Sequence, residues 1–165
     1  IERVLRVNLY GPIFMVKAFL PYLLKRPEAH IVNISSMGGF FPVPGQTLYG
    51  ASKAAVKLLT EGLYAELIGT DVNVTVVFPG AVGTNIARNS GVNINIEGRD
   101  PKRPAHNFSP VTPRIAAEII IDGMEKDKFQ VYVGRDARLM NLFYRLHPRW
   151  ATNFMFKQMK ALLPD

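Results

Sequence analysis

The chain has 165 residues and a formal net charge of +7, long enough for one domain. It has no cysteine, which excludes a disulfide framework and a thiolate metal site. It also lacks the apolar run of about eighteen residues that a spanning helix needs. Basic residues are scattered, densest at Arg99–Arg103 and Arg135–Arg149, with no long basic run and no aromatic-interleaved nucleic-acid motif, so no nucleic-acid partner is expected.

In chain order, residues Ile1 to Lys25 carry apolar periodicity of helical type, with Asn8, Gly11 and Pro12 expected to kink or break the helix. His30 to Ser35 reads as a buried strand ending in the hydroxyl pair Ser35-Ser36. Gly38, Gly39, Pro42, Pro44 and Gly45 then make a loop. A long helix is expected from Thr47 to Ile68, with Gly69 as its C′ residue. Val72 to Phe78 is nearly continuous in β-branched and aromatic residues, as a strand buried on both faces should be. Asn85 to Val111 reads as a long polar loop. Thr112 as cap and Pro113 at the first helical position open a helix to about Met124. Phe129 to Val133 is a third strand. Two helices, about Arg135–Leu146 and Pro148–Leu163, complete the chain. The alternation predicts an α/β fold, a parallel sheet with helices on both faces. The chain begins without Met at Ile1-Glu2-Arg3-Val4, inside an amphipathic helix, and reads as a piece of a longer protein.

The chemistry-bearing motif is Tyr49-Gly50-Ala51-Ser52-Lys53. A Tyr and a Lys four apart share one helix face, which sets an ammonium beneath a phenol. A phenol titrates near ~10, and a neighbouring cation favours phenolate. Such a pair suits general acid–base work at a carbonyl or alcohol. The bare motif recurs by chance; Ser36, thirteen positions before the tyrosine, and the sharp strand end at Pro79-Gly80 set it in context.

Four segments, Val7-Asn8-Leu9, Ile31 to Gly39, Tyr49 to Val56 and Pro79 to Thr84, follow one another in an order and spacing that resembles the C-terminal part of a short-chain dehydrogenase/reductase. The resemblance implies a Rossmann-like doubly wound sheet, of which this chain holds the last three strands, and an NAD or NADP cofactor. It implies catalytic roles for Tyr49 as acid/base, for Lys53 as its modulator and ribose contact, and for Ser36 as donor to the substrate oxygen, in preference to Ser35. It implies that Asn8 breaks its helix and holds a water in a proton relay to the lysine. Pro79, Gly80, Val82 and Thr84 would contact the nicotinamide end of the cofactor, together with Tyr49 and Lys53. Asn33 is expected to tie backbone together. Residues 85–111 would be the substrate lid, with Arg99, Lys102 and Arg103 either solvated or meeting an anionic group. His30, His106 and His147 are too widely spaced for a metal site.

The departure from the family is the absence of any G-x-G-x-x-G turn after a strand. Residues 1–165 therefore read as one partial domain without its N-terminal phosphate-binding part. One edge of the first strand is left uncovered, and NAD is not distinguished from NADP. The fragment alone is expected to be inactive. Two other readings stand beside the enzyme: a non-catalytic dehydrogenase-like binding or regulatory protein, and a nucleotide-sugar epimerase or dehydratase relative. The Thr47–Ile68 helix resembles the one that pairs subunits in this family, which implies a homodimer or homotetramer. Residues 135–163 interleave apolar residues with Arg138, Arg145, Arg149, Lys157 and Lys160. That pattern packs on the protein body, covers a pocket, or lies on a membrane. A cytoplasmic protein, with peripheral membrane contact as an option and an apolar carbonyl or alcohol as substrate, is the expectation.

Overall fold

The computed structural model describes residues 1–84 and 110–160. Helix α1 (Glu2–Leu5) runs through a π-helical turn (Arg6–Tyr10) into α2 (Gly11–Leu23). Strand β1 (Ala29–Ile34) is followed by a single 3-10 turn (Met37–Gly39) and α3 (Thr47–Glu66). Then come β2 (Val72–Pro79), α4 (Pro113–Glu125), β3 (Gln130–Val133), α5 (Arg135–Leu146) and α6 (Pro148–Met159).

The first helix differs from expectation. It is not broken at Asn8, Gly11 and Pro12 but widened: the Gly11 amide donates to the Arg6 carbonyl, five residues back. Pro12 brings no N–H to the ladder, and one extra residue in the turn absorbs the mismatch while the axis continues. The long helix stops at Glu66, two residues before the expected end, and Gly69 takes φ +87° in the turn that follows. Thr112 caps α4 as read, its hydroxyl accepting from the Ile115 amide. The expected lid and the stretch after Lys160, with Leu162 and Leu163, lie outside the described residues.

The sheet is parallel, in the order β1-β2-β3, with Ile31 opposite Val74 and Val77 opposite Val131. Central β2 faces helices on both sides, hence its nearly continuous run of β-branched and aromatic residues. Val72 and Val74 pack with Ala29, Ile31, Leu63 and Leu67 on the α2–α3 side. Val77, of opposite parity, packs with Val131, Val133 and Ala116 on the α4 side. A third cluster seats α5 and α6 on the loop after β1, through Phe41, Met140 and Ala151.

That loop lies directly against α3. A Cβ at Gly39 would stand 2.5 Å from the Ser35 hydroxyl and 2.9 Å from the Lys53 carbonyl carbon and oxygen. Backbone atoms of a packed helix cannot retreat as a side-chain tip can. Gly39→Ala is therefore expected to cost roughly 1–3 kcal/mol, read as a lowered denaturant midpoint with an unchanged slope.

Candidate active site

Tyr49 sits in the first turn of α3 and Lys53 one turn on. The Lys53 ammonium lies 6.0 Å from the centroid of the Tyr49 ring and donates to the Ile34 carbonyl at 3.0 Å. The other end of the same residue is also held, its carbonyl accepting from the Ser35 hydroxyl at 2.8 Å. Burial disfavours the charged amine and holds its pKa below the ordinary lysine value of 10.5.

The serines divide by geometry. Ser35 is buried and tied to the helix backbone. Ser36 is half-buried and caps the 3-10 turn, its hydroxyl accepting from the Gly38 amide at 3.1 Å. Gly38 separates it from the phenol ring: a Cβ built there would stand 3.6 Å from both Ser36 Oγ and Tyr49 Cε1. Ser36 and Tyr49 thus flank one small gap, while Ser35 faces the interior.

Asn8 reaches the same helix from the π-helical turn. Its side-chain amide donates to Ser52 Oγ at 3.0 Å, and Ser52 donates to the Tyr49 carbonyl at 2.6 Å. The contact runs to the residue beside Lys53 and not to the ammonium. Asn33 makes a side-chain tie: it donates to the buried Thr60 hydroxyl at 3.0 Å, which in turn donates to the Val56 carbonyl.

Pro79 and Gly80 end β2 next to the end of β1, so the candidates converge on the carboxyl edge of the sheet, where open α/β folds bind ligands. The Gly80 amide donates to the Val133 carbonyl at 2.9 Å. Val82 bridges Val111 in parallel, the Gly83 amide donating to Val111 and the Val111 amide to Ala81, and the Thr84 amide folds back on the Val82 carbonyl. The two chain ends that flank residues 85–109 are pinned side by side.

A residue that the sequence reading passed over holds this turn. Asp136, buried in the first turn of α5, accepts from the Ala81 amide at 2.6 Å. A Cβ at Gly80 or at Gly134 would fall on its carboxylate. An acid in a first helical turn reads as a dipole partner; the signal was the pair of glycines facing it.

The parallel sheet flanked by helices that carries these residues is shared with known proteins. The sequence profile described as short chain dehydrogenase matches residues 1–94. The chain belongs to the short-chain dehydrogenase family. SadH of Mycobacterium tuberculosis, named as an oxidoreductase, is 38% identical over 152 residues, covering 88% of this chain and 54% of that protein. Dehydrogenase/reductase SDR family member 7B of Rattus norvegicus is 39% identical over 89 residues, 54% of this chain and 27% of that one. Among solved structures, a short chain dehydrogenase of Burkholderia cenocepacia in complex with NADP matches with TM-score 0.74 and 26% identity, over 92% of this chain and 56% of that one. A short-chain dehydrogenase/reductase of Burkholderia phymatum in complex with NAD matches with TM-score 0.67 and 26% identity, over 86% and 57%. The chain spans about half the length of SadH and of both solved short-chain dehydrogenases. The Rossmann-like fold class read from the sequence is the fold of this family.

Two measurements bear on this geometry. In a pH titration of the lysine side chains by NMR, Lys53 is expected to lose its proton below 10.5 and ahead of the exposed lysines. The unfolded chain keeps that proton to higher pH, so the Lys53 contribution to stability rises with pH in the window just below 10.5; a Lys53 midpoint at or above the exposed lysines contradicts this. Asp136→Ala strands the Ala81 amide and is expected to lower stability by about 1–3 kcal/mol in denaturant melts, with Asp136→Asn, which keeps one acceptor oxygen, recovering part of the loss.

Proposed function

We propose that the chain is the C-terminal half of an NAD(P)-dependent oxidoreductase that interconverts a carbonyl and an alcohol by hydride transfer. The observation that carries this reading is the Lys53 ammonium 6.0 Å from the Tyr49 ring centroid, with Ser36 across Gly38 from the same ring. Tyr49 gives its proton to the carbonyl oxygen in reduction and takes it back in oxidation. Ser36 donates a hydrogen bond to that oxygen and holds it beside the phenol. Lys53, fixed by the Ile34 carbonyl, keeps positive charge next to the phenol. For Asn8 the relay to Lys53 through water stays part of the proposal, since its contact with Ser52 uses the nitrogen of the amide and not the oxygen.

The donor set fits a nicotinamide: a phenol, an ammonium and a short amide-rich turn, Pro79 to Thr84, anchored by Asp136 and Val111 at the carboxyl edge. When bound, the cofactor supplies or accepts the hydride. Pro79, Gly80, Val82 and Thr84 would hold it together with Tyr49 and Lys53. Support for NAD or NADP comes from the two similar short-chain dehydrogenases solved with one or the other, and the choice between them stays open. Residues 85–111 would serve as the lid over an apolar substrate. The 165-residue chain alone would be inactive, since it spans about half the length of its relatives. Exposed Val7, Phe14, Met15 and Tyr22 on the first helices and Leu58 on α3 support pairing of subunits into a dimer or tetramer.

In the full-length protein, Tyr49→Phe is expected to lower turnover by about 10²-fold or more with cofactor binding retained. The reaction is followed at the nicotinamide absorbance, with both cofactors and a panel of ketones, 3-oxoacyl thioesters, steroids and retinoids. Turnover that survives the substitution overturns the assignment.

A further inference from the structure

Four cations on or next to the helices before the last strand have an acidic partner one turn away. Arg6 pairs with Glu2, Lys57 with Glu61, Arg114 with Glu118 and Lys126 with Asp122. The C-terminal helices break that pattern. From Ala137 to Pro164 the sequence holds Arg138, Arg145, Arg149, Lys157 and Lys160 and no Asp or Glu. Among the described residues none of these five cations takes part in an ion pair.

The same helices carry apolar side chains outward. Their inner sides pack on Phe41 through Met140 and Ala151. Yet Leu142 is 52% exposed, Leu146 62% and Trp150 55%, clustered where α5 turns into α6. Phe143 meets Trp150 edge-on at 5.8 Å, and Trp150 stacks on Phe154 at 5.5 Å. The outer face is thus an apolar corner with an aromatic backing, flanked by exposed Arg138, Arg145 and Arg149. Among the described residues no helix is long and apolar enough to cross a membrane.

We propose that this corner is a docking surface for an anionic lipid bilayer. Burial of Leu142, Leu146 and Trp150 at the headgroup boundary removes apolar area from water, and the arginines meet lipid phosphates. Tryptophan suits that boundary because its ring is apolar and its N–H is polar. A second copy of the same face would bring arginine against arginine with no acid between them. A nucleic acid would gain nothing from Leu142 and Leu146 at the centre of the patch. The corner is built on the loop that follows Ser36, so docking turns the Ser36–Phe41 side of the molecule toward the lipid.

The test is co-sedimentation of the full-length protein with extruded vesicles. One set is phosphatidylcholine alone and the other has a third of its lipid replaced by phosphatidylglycerol. Binding is expected on the anionic vesicles only, weakening at least ~10-fold as salt shortens the screening length. Arg145→Gln/Arg149→Gln and, separately, Leu146→Ser/Trp150→Ser are each expected to weaken it by ~10-fold or more, with cofactor binding unchanged and, for the arginine pair, the thermal midpoint unchanged as well. These side chains are exposed and lie outside the proposed site, so folded variants are expected; if one pair fails to fold, the other carries the test. The proposal is overturned by absence of binding to anionic vesicles, by binding that both variants retain, or by a lipid-independent dimer that Leu146→Ser/Trp150→Ser abolishes. None of these outcomes bears on Tyr49.

Discussion

Lys53 is held at both ends by one strand, and the layout of the carboxyl edge follows from that grip. Its carbonyl is bound by the Ser35 hydroxyl and its ammonium by the Ile34 carbonyl. A half-buried ammonium is costly without such a partner, so the last carbonyl of β1 both satisfies the charge and fixes where it points. β1 is in turn locked to β2 by six paired residues, Ala29 to Ile34. Helix α3 therefore takes its position from the sheet, and Tyr49, one turn earlier, comes to lie over the loop that carries Ser36. Gly50 makes the approach possible, since a Cβ there would stand 2.9 Å from the Gly38 carbonyl oxygen.

Asp136 plays the matching part for the other half of the site. Its carboxylate reaches from the start of α5 to the Ala81 amide and excludes a side chain at both Gly80 and Gly134. The turn after β2 is thereby set by the helix after β3. A second tie crosses the same interval: Lys57 pairs with Glu61, Gln130 donates to Glu61, Tyr132 to Gln130 and Asn141 to Tyr132. Burial pushes the Tyr132 hydroxyl above its ordinary pKa, which keeps it a donor in that chain. Phe78 stacks on the Tyr132 ring at 5.1 Å. A partly buried network in which each member has a partner stiffens what it joins, here helix α3, which carries Tyr49 and Lys53, and the C-terminal helix α5 across strand β3.

Elements whose cause is local were legible in the sequence. The nearly continuous β-branched and aromatic run of Val72–Phe78 announced a central strand, Thr112-Pro113 a helix start, and Tyr49 with Lys53 a shared helix face. Features whose cause is distant were not. Asn8 in the π-helical turn meets Ser52, 44 positions away, and Asn8 with Pro12 alone reads equally as a kink. The role of Asp136 depends on a residue 55 positions earlier, and the Glu61–Gln130 contact spans 69. Spacing to Tyr49 distinguishes Ser36 from Ser35 in the sequence, and strand parity separates their orientations in the fold. Ser35 continues the inward-facing row of Ile31 and Asn33, and the residue after it turns out toward Tyr49.

The outward apolar residues fall into two groups that differ in their electrostatic surroundings. Those on α1, α2 and α3, such as Val7, Phe14 and Leu58, lie on helices whose cations include Arg6 and Lys57, each neutralised one turn away. Apolar area with part of its neighbouring charge neutralised suits another protein surface, where an unpaired buried cation would be a cost. Those on α5 and α6 are surrounded by arginines and lysines without acids. Closing protein over that corner would strand several cations unless the partner supplied carboxylates, whereas a phosphate-rich interface neutralises each cation and accepts the apolar side chains beside it. The same quantity of exposed hydrophobic surface thus points to different partners, and the placement of charge around it makes the distinction.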